Sequence, residues 1–387
     1  MRASSKAVIA GIGATEFSKD SGRSELQLAL EAVKSALDDA GMRPSDVRGL
    51  VTFAMDTNNE IFVAHGLGMG ELSFLDRIDY GGGSCCATVH HAAMAVEAGI
   101  ADVVVCYRAF NERSGHRFGM SSPHPRPDVF GTNLALYRTF GLATAASWSA
   151  MVARRYMTQY GATSEDFGRV AVLDRQHAQN NPHAWFYQRP ITLDDHQASR
   201  LIADPLRMMD CCQESDGGVA FVVTSLERAN DAPHRPAVIR AAAQASAPGE
   251  LFMTNFYRDD ITQLPEVAHC ARQVFAQSGL GPDDMSCAII YDHFTPWVLM
   301  QLEEYGFCGR GEAKDFIRAG NLELGGKLPT NMHGGLLGEA YIHGLNGIAE
   351  AVRQVRGTSV NQVAACDHVL VTGGTGVPTS ALILGQA

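Results

Sequence analysis

At 387 residues, 46% hydrophobic and 19% charged, the chain has the composition of a folded protein with room for two core-forming units. A formal net charge of −11 without any run of Lys or Arg excludes the basic footprint that nucleic-acid phosphates require. No apolar stretch approaches a spanning helix and the one in MRASSKAVIAGIGATEF is too short for a signal peptide, so no membrane insertion and a cytoplasmic location are expected.

The nine cysteines show neither C-x-x-C nor H-x-x-x-H spacing, so no metal site is expected and reduced, mostly buried thiols are. Ala7 to Ile12 reads as a buried strand ended by Gly11 and Gly13. Ser24 and Gln27 have capping-box spacing, and apolar positions from Leu28 to Leu37 carry helical periodicity to a stop at Gly41. Val51 to Ala54 reads as the next strand. After Ile78, YGGGSCCATVHHAAMAVEAG predicts a tight glycine turn into a second helix, and ADVVVCY a fully buried strand. Alternation of this kind, with continuous apolar strands, predicts parallel sheets covered on both faces.

From about Phe110 to Arg200 the regularity fails in a segment rich in Arg, His, Pro, Asn and aromatics, with helical stretches at Ala145 to Tyr160 and Phe167 to Gln179. It reads either as a specificity-bearing excursion over the active-site face or as a structural subdomain. Gly217 to Thr224 is a buried strand, and DAPHRP, Asp231 to Pro236, is linker-like. The pattern then restarts with a strand at Ala237 to Ala243, a helix at Ile261 to Ser278 and a strand at Cys287 to Tyr291. A helix starting at Tyr341 and stopping at Gly357 leads to closing strands in HVLVTG and SALILG. The expected division is 1–230 and 231–387, the second half restating the first as an internal duplication.

The stretch GGLLGEAYIHGLNG resembles that of sterol-carrier-type thiolases, where a glycine pair is followed seven residues on by a catalytic histidine and then by Gly-x-x-Gly. Gly334 and Gly335 match the pair, Gly344 and Gly347 the later glycines, and Tyr341 stands in the histidine's place. With SDGGVAFVVTS from Ser215 and YDHF from Tyr291, the resemblance covers nearly the whole chain. It implies an α/β thiolase fold, two similar strand-helix halves in layers αβαβα, with a long loop insertion at about 110–200. YDHFTPWVLMQLEEYGFC with GGLLGEAYIHG most resembles the lipid-transfer-protein-type steroid aldolases, which split a steroid acyl-CoA side chain by a retro-aldol reaction.

The chain departs from a working thiolase at several places. The family register puts Gly83, followed by Ser84, where the nucleophilic cysteine belongs, with Cys85 and Cys86 two and three residues too late. Tyr291 replaces the polar residue that opens HDCF in the sterol-carrier thiolases, and Val371 the cysteine of the C-x-G motif. Replacement by two phenols fits a retro-aldol acid and base: a base takes the β-hydroxyl proton, the carbon–carbon bond breaks, and an enolate must be stabilised and protonated. A phenol titrates near pH 10, so bringing one to about 7 takes roughly 4 kcal/mol. Which tyrosine is acid and which base is open.

Around them, His293, His343, Asn331 and His333 are candidate substrate contacts or supports. Gly83 and Ser84 are further candidates of the same kind, and Gly334, Gly335 and Gly338 would let backbone approach a thioester closely. The resemblance further implies a 17-hydroxy steroid side-chain CoA substrate, from cholesterol or another steroid nucleus, giving a 17-keto steroid and propionyl-CoA without a cofactor. It also implies a homodimer and a small OB-fold, zinc-ribbon partner. Two other readings stay open: a thiolase or acyltransferase using Cys85 or Cys86, and a non-catalytic acyl-CoA-binding scaffold.

Overall fold

The computed structural model describes residues 6–117, 129–250, 253–376 and 378–386. The 118–128 part of the excursion lies outside them. The strands are β1 (Ala7–Ala14), β2 (Gly49–Phe53), β3 (Phe74–Ile78), β4 (Val103–Asn111), β5 (Leu201–Ala203), β6 (Leu206–Arg207), β7 (Asp216–Ser225), β8 (Ala237–Ala245), β9 (Cys287–Ile289), β10 (His368–Thr372) and β11 (Thr379–Gly385). β5 and β6 pair with each other; the rest form one sheet in the order β3-β2-β4-β7-β1-β8-β11-β10-β9.

The middle of that sheet is a seam. β1 and β8 share only the pairs Val8 with Val238 and Ile9 with Ala237. On one side, β1 lies antiparallel to β7, β7 antiparallel to β4, and β4 parallel to β2. On the other, β8 lies antiparallel to β11, β11 antiparallel to β10, and β10 parallel to β9. Order and direction therefore repeat strand for strand, and β3 extends the first set as its outer edge.

The expectation of parallel sheets is corrected: only the outer strands are parallel, and the inner ones are antiparallel. Continuous apolar runs such as β4 and β7 report burial on both faces, which helices supply here, and that pattern is blind to strand direction. Helices Cys85–Glu97 and Leu345–Arg356 form the middle layer, each touching strands of both sets. Helix Glu25–Ala40 covers the outer face of β1, β4 and β7, and Pro265–Ser278 that of β8 and β11. Three cores follow, a central one and one under each outer layer.

Local chemistry explains the helix ends. Ser24 accepts from the Gln27 amide at 3.2 Å, and Gly41, at φ +66°, stops the first helix. The helix expected from Ile261 begins at Pro265, which suits a first-turn position where no amide is needed. The helix expected to start at Tyr341 begins at Leu345, because His343 and Gly344 are left-handed at φ +48° and +86°. Tyr341 thus lies on a loop. Within the excursion, helix Ser164–Ala178 packs on the Gly335–Gly338 turn, and the Trp185 and Phe186 amides bond the Glu339 and Gly338 carbonyls. The excursion therefore reaches the turn that leads to Tyr341.

Candidate active site

Tyr291 leaves the end of β9 with its backbone clamped. Its amide donates to Thr372 Oγ1 at 2.9 Å, its carbonyl accepts from Gln301 Nε2 at 2.8 Å, and Thr372 donates to Gln301 Oε1 at 2.6 Å. The next residue, Asp292, accepts from the Leu336 amide at 2.8 Å and the Leu337 amide at 3.1 Å, tying this turn to the one that leads to Tyr341. Tyr341 is in turn held by its amide on Ser215 Oγ at 3.2 Å. The result is direct contact of the two phenols, Tyr291 Oη donating to Tyr341 Oη at 3.0 Å with the rings edge-on. Tyr291 is buried and Tyr341 half-buried.

Glycines make room for this pair. A Cβ on Gly82 would lie 1.7 Å from Tyr291 Oη, and one on Gly344 would lie 2.9 Å from the Tyr291 ring and 3.0 Å from Cys85 Sγ. A Cβ on Gly83 would lie 2.1 Å from the Pro378 carbonyl oxygen, so no side chain fits there as the loop stands. Ser84 turns away, donating to the Asp79 carbonyl at 2.6 Å. Cys85 and Cys86 are sealed in the central core with their sulfurs 3.8 Å apart, and burial pushes the Cys86 thiol up. Their placement is that of packing residues.

Gly334 and Gly335, expected to let backbone approach a thioester, are closely packed by the protein itself. Gly334 abuts Ala178, and a Cβ on Gly335 would lie 2.2 Å from Asp292 Oδ2, so the pair is small to admit a helix and a carboxylate cap. Asn331 spends Oδ1 on the Ile290 amide at 2.9 Å, and His333 faces Glu339 at 3.9 Å; both support the turn. His293 stacks on Trp297 with ring centres 5.9 Å apart and lies 5.1 Å from the Tyr291 ring. Burial lowers both His293 and His333 to about 3, so both are neutral.

His343 is brought to the pair, its ring centre 4.7 Å from that of Tyr341. Its Nδ1 receives Arg108 Nε at 3.3 Å and Nη2 at 3.1 Å. Arg108 projects from the buried strand β4, and its Nη1 lies 3.6 Å from Asp56 Oδ2. Burial pushes both phenols well above the usual range, Tyr341 being raised further by Cys212 and Glu112. Against that, the hydrogen bond from Tyr291 and the Arg108 charge favour ionised Tyr341. Reading the sequence missed Arg108 and Glu112; the signal was a charge inside and another at the end of the run VVVCYRAFNE.

The site offers two hydrogen-bonded phenols beside a neutral imidazole, with the Cys85 and Cys86 thiols packed into the core. Among the described residues, no group of three or more His, Cys, Asp or Glu converges on a metal position.

Family comparison fits this geometry. The thiolase N-terminal domain family matches residues 7–227, and the thiolase C-terminal domain-like family residues 253–386. The chain is 66% identical over 382 residues to a steroid side-chain-cleaving aldolase of Thermomonospora curvata, covering 98% of this chain and 97% of that one. It is 62% identical over 384 residues to a 17-hydroxy-3-oxo-4-pregnene-20-carboxyl-CoA lyase of Mycobacterium tuberculosis, covering 99% and 100%. A solved structure named Ltp2-ChsH2(DUF35) aldolase superposes with a TM-score of 0.95 at 65% identity, covering 99% of this chain and 98% of that one. Human mitochondrial 3-ketoacyl-CoA thiolase, at TM-score 0.70 and 15% identity over 99% of both chains, shares the fold. The chain belongs to the thiolase superfamily, in its branch of steroid side-chain-cleaving aldolases.

Proposed function

We propose that the protein cleaves a 17-hydroxy steroid side-chain CoA thioester by a retro-aldol reaction, with Tyr341 as base and Tyr291 as its acid partner. The observation that carries this is the 3.0 Å hydrogen bond between the phenols. Ionised Tyr341 takes the 17-hydroxyl proton. The C–O bond becomes a carbonyl, the bond from C17 to the α-carbon breaks, and its electron pair enters the thioester as an enolate. A proton returned through the pair to the α-carbon yields propionyl-CoA beside the 17-keto steroid, so none is consumed. Tyr341 suits the base because it is the half-buried member and accepts from Tyr291.

The reading includes a homodimer, supported by the open edge strand β3 with Leu75, Met94 and Ile100 exposed around it. It also includes a small OB-fold, zinc-ribbon partner, supported by the solved relative whose name joins the aldolase to a second protein. No helix of the described residues is long and apolar enough to cross a membrane; the cytoplasm remains the proposed compartment.

The test is propionyl-CoA release from the 17-hydroxy steroid thioester, with and without the partner. Tyr291→Phe and Tyr341→Phe keep the ring packing and should each lower turnover by about 100-fold or more. Near-normal turnover in either variant removes that residue from the mechanism. An acyl group found on Cys85 or Cys86 during turnover would favour thiolase chemistry instead.

A further inference from the structure

The retro-aldol step builds negative charge on the thioester oxygen, and both phenols are already engaged in moving a proton. A third group is needed there that donates a hydrogen bond and keeps its proton. Beside the phenols, the imidazole of His343 is held in a way that its packing alone does not require.

Arginine has donors and no acceptor, so the two Arg108 N–H groups at 3.3 and 3.1 Å make His343 Nδ1 an acceptor without a proton. The neutral ring therefore carries its proton on Nε2. Burial and the guanidinium both drive His343 well below its ordinary range, so it stays neutral through the physiological range. Arg108 is itself buried and sits over the Phe110 ring at 4.5 Å, with Asp56 as counter-charge. Asp56 is in turn fixed by the Ala109 and Asn58 amides, each at 2.8 Å. Burying an ion pair rarely repays its desolvation through stability alone. Here two of the guanidinium nitrogens are directed at one imidazole.

The ring also sits where such a donor is useful. His343 adopts the left-handed φ +48° between Tyr341 and the Phe53 ring. Its Nε2 lies 3.7 Å from the Cβ position of Gly81, in the loop whose next residue, Gly82, backs the Tyr291 hydroxyl. The proton-bearing edge of the imidazole thus faces the loop that closes on the phenol pair.

We propose that His343 Nε2–H is the hydrogen-bond donor to the thioester oxygen of the enolate, and that Arg108 is the positioning residue that fixes this tautomer. The inference rests on the retro-aldol reading. No proton leaves His343: as the C17 to α-carbon bond breaks, its electron pair delocalises onto the thioester oxygen, Nε2–H bonds to that oxygen, and protonation at carbon restores the carbonyl. A neutral imidazole suits this because it stabilises the oxyanion without protonating it.

The experiment measures steroid-thioester cleavage and, separately, exchange of the propionyl-CoA α-hydrogen in D2O, which needs the enolate but no steroid. His343→Ala and Arg108→Met should lower kcat and exchange together by about 100-fold, the usual effect of losing one oxyanion donor, with KM little changed. His343→Gln, whose amide still donates, should recover part of both. Nitrogen-15 NMR of the imidazole reads the tautomer in the unaltered protein, so the idea stays testable even if Arg108→Met folds poorly. His343→Ala exchanging at the wild-type rate, or a proton found on Nδ1, would overturn the assignment. Wild-type protein that exchanges propionyl-CoA without cleaving the steroid thioester overturns the substrate reading alone, and the variants still decide the donor. If it does neither, the donor role falls with the reaction.

Discussion

Gly82→Ala isolates the phenol contact without touching either phenol. Gly82 is absent from the left-handed positions, so its backbone accepts alanine and the obstacle is steric. The added methyl would lie 1.7 Å from Tyr291 Oη, 2.3 Å from Cζ and 2.8 Å from Cε2. Ordinary contact is about 3.5 Å, so the hydroxyl must retreat by about 1.5 to 2 Å. The Tyr291 backbone cannot follow, because Thr372 and Gln301 hold its amide and carbonyl. The ring must turn, and its 3.0 Å bond to Tyr341 breaks. Overpacking of this kind costs about 1 to 3 kcal/mol of stability. A misplacement of about 1 Å costs about 100-fold in rate, or about 2.7 kcal/mol in the barrier. Propionyl-CoA release and a urea melt read the two effects. Gly70→Ala, whose methyl would meet nothing nearer than Arg48 Nη1 at 3.7 Å, is the control. Both substitutions disable the same bond, so Gly82→Ala combined with Tyr291→Phe should be no slower than the slower single variant. Turnover of Gly82→Ala within threefold of wild type, with an unchanged melt, would refute the requirement for the contact.

Because burial raises both phenols, the ionised base grows with pH: turnover should rise between pH 7 and 9, and Tyr341→Phe should remove that rise. A flat wild-type profile would count against Tyr341 as base. Cys85→Ala and Cys86→Ala should leave turnover within about threefold and cost stability instead, about 1 kcal/mol or more for each emptied core site, read by the same assay and melt. His293 and His333 take up protons in the unfolded chain near 6.5 and in the folded one only near 3. Their contribution is therefore full above pH 6.5 and is lost as pH falls toward 3. Asp292, raised to about 6, works in the opposite sense, stabilising as pH falls from 6 toward its unfolded value. His333→Gln should flatten the acid side of the urea midpoint plotted against pH; an unaltered slope would mean that His333 is not held neutral.

Features set by local chemistry were legible in the sequence. The helix Ala145–Tyr160 has the bounds expected of it, since Thr144 caps one end and Gly161, at φ +71°, stops the other. Strand order repeats between the two sets of the sheet, a regularity the restarting strand–helix pattern pointed to. What needed tertiary information was not legible. β3 carries charges at half-buried Asp76 and exposed Arg77 where a buried strand would be apolar, because it is the outer edge of the sheet. The helix after Tyr341 is shortened where His343 and Gly344 turn left-handed together, and Gly344 alone does not announce that His343 joins it. The glycine pair at Gly334 was recognisable as a motif, but not that it makes room for Ala178 and Asp292. Arg108 was visible as an anomaly, but its meaning required knowing that β4 ends beside a loop more than 230 residues further along the chain.

The position matched to the nucleophile and the space taken by a phenol are neighbours in one loop. Gly83, the position matched to the thiolase nucleophile, has the Pro378 carbonyl where its side chain would project. At Gly82 the same space is filled by the Tyr291 hydroxyl. Restoring a cysteine at 83 would require the Pro378 segment to move, and a side chain at 82 would require Tyr291 to leave. Conversely, Tyr291 can stand within 3.0 Å of Tyr341 only while the loop before helix Cys85–Glu97 carries no side chain against it. The loop before this helix therefore leaves room for the phenol couple at 82 and for no side chain at 83 as the Pro378 segment stands.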